Sequence, residues 1–190
     1  MVTFAIVYGT GEGQTAKVAT RIGTALRDRG HEAVVTDITD ADPATVLDGV
    51  DAALVGSSIH VGKHAGAIRS FVEANRDRLR SLPTAFFQVS LTSAVDDEQH
   101  RAEAARYVTE FTDGTGWHPD RVGLFGGALR YSEYGFLKRL LMKRIAADAT
   151  GDTDTAQDYE YTDWDEVEQF AADVAAFVEG RLGTTPPADE

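Results

Sequence analysis

The stretch Tyr8-Gly9-Thr10-Gly11-Glu12-Gly13-Gln14-Thr15 closes the apolar run Val2–Tyr8 and leads directly into a helical pattern. A strand, a loop of glycines and threonines, and a helix N-terminus together form an anion site, because free backbone N–H groups and the positive end of the helix dipole converge there. We therefore predict that this loop binds a phosphate group. The Gly-Lys-Ser/Thr ending of nucleotide hydrolases is missing, and Gln14 replaces the third glycine of the dinucleotide-binding pattern.

Two hydroxyls, those of Thr10 and Thr15, bracket the loop. A terminal phosphate monoester exposes three oxygens that require hydrogen-bond donors, whereas a pyrophosphate is bound mainly by backbone groups that approach it closely at glycines. The hydroxyls therefore favour a mononucleotide such as FMN. Asp37 keeps NAD open as an alternative, because an acidic residue about this far from the loop can bind a ribose. Glu12 belongs to the loop, and we expect its carboxylate to point outward, away from the phosphate.

Outward from this loop, apolar runs alternate with helical patterns, which is typical of a parallel sheet covered by crossover helices. The predicted strands are Val2–Tyr8, Glu32–Ile38, Asp51–Gly56, Thr84–Leu91 and Arg121–Gly127. The predicted helices are Gln14–Arg29, His64–Leu79, Asp97–Thr112 and Trp164–Val178, the first stopped by Gly30 and the last by Gly180. We expect one domain over residues 1–182, with a long insertion at 128–163 and a flexible tail at 183–190.

Small polar loops follow the third and fourth predicted strands. In an open parallel sheet, ligands bind outside the carboxyl ends of the strands. Such loops suit backbone contacts to a flat heterocycle, and the residues expected to bracket it are Ser57, Ser58, Ile59, His60, Ser90, Leu91 and Thr92. We predict no metal site, because Gly62 interrupts a helix between His60 and His64 and no third ligand is evident.

The composition excludes several function classes. The chain has 190 residues, 31 of them acidic and 18 basic, and no cysteine. Without cysteine there is no disulfide, thiolate nucleophile or Fe–S ligation, so redox chemistry requires a bound cofactor. A net charge of −13 argues against nucleic-acid binding. No signal peptide or membrane span is evident, so we expect a cytoplasmic protein.

The acidic residues are unusual in kind. The chain holds 19 Asp beside only 4 Lys, which favours a halophile's surface, although an ordinary acidic cytosolic protein remains an alternative.

The insertion divides into two parts of opposite charge. Residues 130–144 carry five basic residues and one acidic residue, whereas residues 148–168 carry nine acidic residues and no basic one. Within 134–145, apolar positions 136, 137, 140, 141 and 145 form a helical stripe beside cations. This pattern is expected of a helix that lies on an anionic membrane, and equally of a core-packed helix whose cations extend to solvent.

Motifs along almost the whole chain resemble a known family. They are Gly13-Gln14-Thr15, Gly56-Ser57-Ser58-Ile59 with Gly62, Ser70-Phe71-Val72, Leu82-Pro83-Thr84-Ala85-Phe86, Trp117-His118-Pro119-Asp120-Arg121, Gly127-Ala128-Leu129-Arg130-Tyr131 with Tyr134, Met142-Lys143, and Thr153-Asp154-Thr155 leading to Tyr161-Thr162-Asp163-Trp164. The order of elements resembles flavodoxin. The whole set is similar to the flavodoxin-like, menaquinone-dependent protoporphyrinogen IX dehydrogenases, and the motifs at 127–131 and 161–164 are its most specific part.

This resemblance implies an α/β fold, a doubly wound five-stranded parallel sheet of order 2-1-3-4-5 with helices on both faces. It also implies FMN as cofactor, protoporphyrinogen IX as hydrogen donor and menaquinone as electron acceptor, in haem biosynthesis. The residues it assigns to the phosphate are Thr10, Gly11, Gly13, Gln14 and Thr15. Gly127, Arg130 and Tyr131 would approach the flavin or a porphyrin carboxylate, the latter suited to the planar guanidinium of Arg130.

Two alternatives stay open from the sequence. One is a flavodoxin that carries electrons without a substrate of its own, and the other is an NAD(P)H:quinone reductase. Ser90 departs from the amide that the family tends to have, which leaves the surroundings of the flavin ring undetermined. No acid or base residue and no oligomeric state is assigned.

Overall fold

A computed structural model of the chain describes residues 1–60, 62–129, 142–143, 146–147, 150–152 and 154–184. The strands are β1 (Thr3–Gly9), β2 (Glu32–Asp37), β3 (Ala52–His60), β4 (Lys63–His64), β5 (Thr84–Ser90), β6 (Arg121–Gly126), β7 (Ala128–Leu129) and β8 (Tyr159–Glu160). The helices are α1 (Gln14–Asp28), α2 (Gly66–Ala74), α3 (Arg76–Arg80), α4 (Glu98–Thr115) and α5 (Trp164–Leu182), with a 3-10 turn at Thr92–Ala94.

Five strands pair in parallel in the spatial order β2-β1-β3-β5-β6. Counted along the chain, this is the predicted order 2-1-3-4-5, so the predicted fold class is confirmed. Two short antiparallel additions were not predicted: β4 pairs with the end of β3, and β7 pairs with β8. Strands this short give too few alternating residues to be recognised from a pattern.

Alternating side chains of the strands divide the core into two layers. Phe4 and Ile6 of β1 face a cluster that includes residues of α1 and α5, whereas Ala5 and Val7 face a cluster that includes residues of α2, α3 and α4. Helices therefore cover both faces of the sheet, as a doubly wound fold requires.

Three predicted helices differ from the structure by more than one residue at an end, and one of them, predicted over Asp97–Thr112, spans Glu98–Thr115. His64 belongs to β4, and the helix predicted over His64–Leu79 begins only at Gly66 and is interrupted at Asn75. The Asn75 side chain donates to the carbonyl of Phe71 and to that of Pro43, so it draws the chain out of helical geometry there. The last helix continues past the predicted stop at Gly180 to Leu182, and Gly183 caps it in the left-handed conformation with φ 67°.

A third, small cluster is built from the long connection between β6 and α5. Leu129, Met142 and Ala146 are buried together, with Leu91, Tyr159 and Tyr161 packed against them. The described part of the connection therefore folds back onto the carboxyl edge of the sheet. Among the described residues, no helix is long and apolar enough to cross a bilayer.

A buried ion pair joins the first and last helices at the amino edge of the sheet. Arg29, which follows α1, donates two hydrogen bonds of 2.8 Å to the Glu179 carboxylate, and His31 Nε2 lies 2.9 Å from the same carboxylate. The hydrogen bonds from Arg29 lower the pKa of Glu179. The Glu179 residue is only 4% exposed, so its charge depends on these partners.

We expect Glu179→Gln to lower the free energy of unfolding by about 2 kcal/mol at pH 7, because the half-buried guanidinium of Arg29 loses its counter-charge and the buried His31 loses a charged partner. Urea unfolding monitored by circular dichroism measures this. The difference from wild type should shrink as the pH falls toward and through the lowered pKa of Glu179, because the wild-type carboxylate then protonates as well. Glu168→Gln, which breaks the exposed pair with Arg21, is the control and should cost below about 1 kcal/mol. Equal losses in both variants would contradict the prediction.

Candidate functional site

The loop between β1 and α1 forms a closed turn at the carboxyl edge of the sheet. Gly13 has φ 84°, a left-handed conformation that favours glycine, and its N–H donates to Thr10 Oγ1 over 2.9 Å. The first turn of α1 contains no acidic residue, so its free N–H groups keep their attraction for an anion.

Two buried hydroxyls mark the cleft beside this loop. Thr15 is 1% exposed and Ser58 is 8% exposed, and both line the cleft. Within the described part of the chain, neither Thr15 Oγ1 nor Ser58 Oγ has a hydrogen-bond partner. Buried hydroxyls are nearly always paired in folded proteins, so both fit a polar ligand such as a phosphate ester. This observation agrees with the predicted phosphate site.

Most predicted site residues meet in this cleft. The structure brings together Thr10, Glu12, Gln14, Thr15, Ser58, Ile59, His60, Ser90, Leu91 and Gly127. Val89, Ala128 and Met142 also line it and were not predicted as site residues. Arg130 and Tyr131 lie outside the described residues, as do 134–141 and 144–145 of the amphipathic segment 134–145.

Gly11, Gly13, Ser57 and Thr92 are absent from the lining of the cleft formed by the described residues. Ser57 Oγ accepts from the backbone N–H of Ala65 over 3.0 Å, so this side chain fixes the start of α2. Thr92 belongs to the 3-10 turn, which the N–H of Ser93 joins to Ser90 Oγ over 3.0 Å. Ser57 and Ser90 thus shape the loops that border the cleft.

The side chains of Glu12 and Gln14 have surroundings that the sequence did not predict. Glu12 lines the cleft and its Oε1 is buried, so the prediction that it points outward is wrong. The hydrogen bond from Gly13 to Thr10 closes the loop around residues 11 and 12. The Gln14 side chain donates to Thr162 Oγ1 over 2.8 Å, which leaves its backbone N–H as the group that a phosphate could use.

Gln14 begins a chain of hydrogen bonds across the carboxyl edge. Thr162 Oγ1, the acceptor from Gln14, donates in turn to the carbonyl of Gly126 over 2.6 Å. Glu160 accepts from Lys17 over 2.8 Å and from Trp164 Nε1 over 3.2 Å, and the Lys17 contact lowers its pKa. Residues 160–164 are thus tied to the helix that follows the phosphate loop.

Gly126 and Gly127 let three backbone segments meet beside the cleft. The N–H of Gly127 donates to the carbonyl of Ser90 over 2.9 Å, and the N–H of Tyr161 donates to the carbonyl of Gly127 over 3.0 Å. A Cβ at Gly126 would overlap the carbonyl of Tyr161, and one at Gly127 would lie 3.2 Å from the carbonyl carbon of Ser90. Sequence reasoning missed the role of Gly126, although a Gly-Gly pair at a strand end signals such an approach.

The third border of the cleft is a hairpin formed by β4 and the end of β3. We call its described residues, 59–60 and 62–64, the 60s hairpin. Ile59 pairs with His64 and His60 with Lys63, so alternation along the strands places His60 and His64 on opposite faces. The His60 ring lies against Gly11, whereas His64 Nε2 lies 2.9 Å from Gln88 Oε1 in the core. The two histidines therefore do not face a common site.

Comparison with known proteins adds a family likeness. A family model described as a flavodoxin domain matches residues 5–156. A protoporphyrinogen IX dehydrogenase (quinone) from Escherichia coli strain K12 is 32% identical over 170 residues, which cover 90% of this chain and 93% of that protein. A protein of the same name from Leishmania major is 34% identical over 172 residues, which cover 90% of this chain and 74% of that protein.

Among solved structures, a short-chain flavodoxin associated with a non-canonical PDU bacterial microcompartment has the same fold. Its TM-score is 0.59 at 14% sequence identity, and the match covers 94% of this chain and 99% of that chain.

His64 makes the stability of the fold depend on pH. Burial lowers its pKa from 6.5 to about 4, against a smaller opposing effect of the Gln88 hydrogen bond. Between these two pH values, His64 is protonated in the unfolded chain but neutral in the folded chain. The free energy of unfolding therefore decreases as the pH falls from 6.5 toward 4. We expect His64 to account for at most about 3 kcal/mol of this loss.

Urea unfolding at several pH values, wild type against His64→Phe, measures this contribution, because the carboxylates titrate equally in both. The wild type should lose more free energy of unfolding than the variant between pH 6.5 and 4. Parallel pH profiles would refute the assignment to His64.

Proposed function

The chain belongs to the flavodoxin domain family, and within it to the protoporphyrinogen IX dehydrogenases (quinone), and from this we propose that it oxidises protoporphyrinogen IX and reduces a quinone. The flavodoxin domain implies a flavin cofactor, and we propose FMN. We further propose menaquinone as the quinone. The relatives' names and the length of the match support the activity, since the likeness extends over 90% of the chain.

The observation that carries the choice of FMN is a pair of buried hydroxyls beside the phosphate loop, for which the described residues supply no hydrogen-bond partner. Thr15 and Ser58 offer donors where a terminal phosphate or a ribityl oxygen needs them. Thr10, Gly11, Gly13, Gln14 and Thr15 would hold the phosphate with backbone N–H groups and hydroxyls. NAD has no comparable support, because Asp37 accepts from the N–H and hydroxyl of Thr39 at the end of β2.

The chain's own residues position and shield the reaction. Bound FMN supplies a reversible two-electron acceptor, and the protein tunes and orients it. Ile59, Leu91 and Met142 line the cleft with apolar groups that would shield a bound ring from water. Ser57–His60, Ser90–Thr92 and Gly127 would border the ring through their backbone and side chains. No residue is assigned as acid or base.

Several further predictions belong to this proposal. Arg130 and Tyr131 are proposed to approach the flavin or a porphyrin carboxylate, and residues 134–145 to contact an anionic membrane surface where the quinone is met. The cytoplasmic location, the halophilic origin and the domain limits stay predictions. Because of the acidic composition, assays are best done in both dilute and molar salt.

Thr15→Val tests the phosphate site. Valine keeps the shape of threonine but loses the donor, so we expect about tenfold weaker binding of FMN, measured by quenching of flavin fluorescence. Riboflavin, which lacks the phosphate, should bind both proteins equally. Thr20→Val is a matched control on the same helix, because the Thr20 hydroxyl donates to the carbonyl of Ala16 on an exposed face. Equal loss of FMN and riboflavin affinity would argue against a phosphate contact by Thr15.

The activity is tested by adding protoporphyrinogen IX anaerobically to the FMN-loaded protein and recording the visible spectrum. We expect the flavin band to bleach while a porphyrin band grows, and added menaquinone to restore the flavin band. A flavin that stays oxidised would overturn the dehydrogenase and support an electron-carrier flavodoxin. Bleaching by NAD(P)H alone would support a quinone reductase.

A further inference from the structure

The 60s hairpin brings Ile59 and His60 to the cleft, although its anchor lies in the core behind it. We propose that His64 and Gln88 are positioning residues. Together they fix the position of the 60s hairpin relative to β5, and this position sets the affinity for the flavin and the surroundings of its ring. Neither residue touches the flavin. This inference rests on the proposed function, because it requires a flavin in the cleft. Neither residue is among those that line the cleft in the described part of the chain.

Gln88 links the hairpin to α4 through both ends of its amide. It is fully buried in β5, its Nε2 donates to the carbonyl of Ala104 over 3.2 Å, and its Oε1 lies 2.9 Å from His64 Nε2. Because the amide nitrogen is committed to Ala104, the oxygen must accept, and His64 Nε2 must carry the proton. The pair therefore has one hydrogen-bonding arrangement, which fixes the distance between the His64 side chain and β5.

Aromatic rings restrict the same histidine sideways. The His64 ring lies 4.7 Å from the ring of Phe111 in α4 and 5.3 Å from the ring of Phe86 in β5. Dense packing of this kind allows few alternative positions. Replacing the histidine by phenylalanine keeps a ring in the same place and removes only the hydrogen bond.

The tip of the hairpin lies beside α4. A Cβ at Gly62 would lie 3.6 Å from Tyr107 Cε1, and Tyr107 Oη donates to Glu103 Oε1 over 2.6 Å. The Tyr107 ring therefore borders the space beside the tip, without a side-chain contact to Gly62 itself. The opposite face of the hairpin, with His60 against Gly11, borders the phosphate loop.

The pairing of the two hairpin strands links the position of His64 to that of the residues that line the cleft. His64 lies opposite Ile59, and Ile59 and its neighbours Ser58 and His60 all line the cleft. A shift of His64 by a fraction of an ångström must move Ile59 with it, because the two are neighbours across the hairpin. The cleft wall therefore depends on a contact made in the core.

The test is the double variant His64→Phe/Gln88→Leu. Removing both partners leaves no unpaired polar group of the pair in the core, so the fold should persist. We expect FMN to bind about tenfold more weakly, with a shifted visible absorption band. In the protein without FMN, hydrogen exchange of the backbone amides of the 60s hairpin should be faster than in wild type.

Glu179→Gln is the control, because it removes a buried polar contact at the opposite edge of the sheet. It should lower stability while leaving FMN affinity, the flavin spectrum and exchange in the 60s hairpin as in wild type. Wild-type affinity, spectrum and exchange in the double variant would overturn the inference alone. Equal weakening of FMN binding in both variants would also overturn it, as an effect of stability. A wild type that binds no FMN would overturn the proposed function together with this inference.

Discussion

The close approach of three backbone segments at Gly126 and Gly127 is the constraint on which the carboxyl edge of the sheet depends. Ser90 reaches Gly127 from one side and Tyr161 from the other, through backbone hydrogen bonds of 2.9 and 3.0 Å. Any side chain at Gly126 would collide with the Tyr161 carbonyl. Because Tyr161 is held there, the long connection must return across the end of β6, and its small cluster closes against Leu91.

This return gives the cleft two kinds of wall. The phosphate loop, the 60s hairpin and the loop after β5 follow from the order of strands, as expected at the carboxyl edge of any doubly wound sheet. Met142 and Ala128 come from the connection and are added to that common plan. Gln14 and Thr162 join the two parts, since their hydrogen bonds lead from the phosphate helix to the carbonyl of Gly126. The phosphate end and the connection therefore form one hydrogen-bonded unit.

Local sequence patterns were sufficient to predict the elements whose structure depends on neighbouring residues. The five parallel strands, the phosphate loop and most cleft residues could be predicted, because alternation, glycine position and helix N-terminal chemistry are properties of adjacent residues. The break at Asn75, the inward turn of Glu12 and the use of the Gln14 side chain could not. The Asn75 and Gln14 side chains depend on partners reached only after folding, Pro43 and Thr162 respectively.

By itself, the sequence determined a doubly wound sheet, a glycine- and threonine-rich loop at its carboxyl edge and a family likeness along nearly the whole chain. Only the tertiary structure decided that the half-buried His64 pairs with the buried Gln88, that His60 faces the other way, and that Met142 borders the cleft. The physical reason is the separation along the chain of the residues that interact. Periodicity and capping act within a few residues, whereas the pairing of buried polar groups and the closing of a cleft depend on residues far apart in the chain.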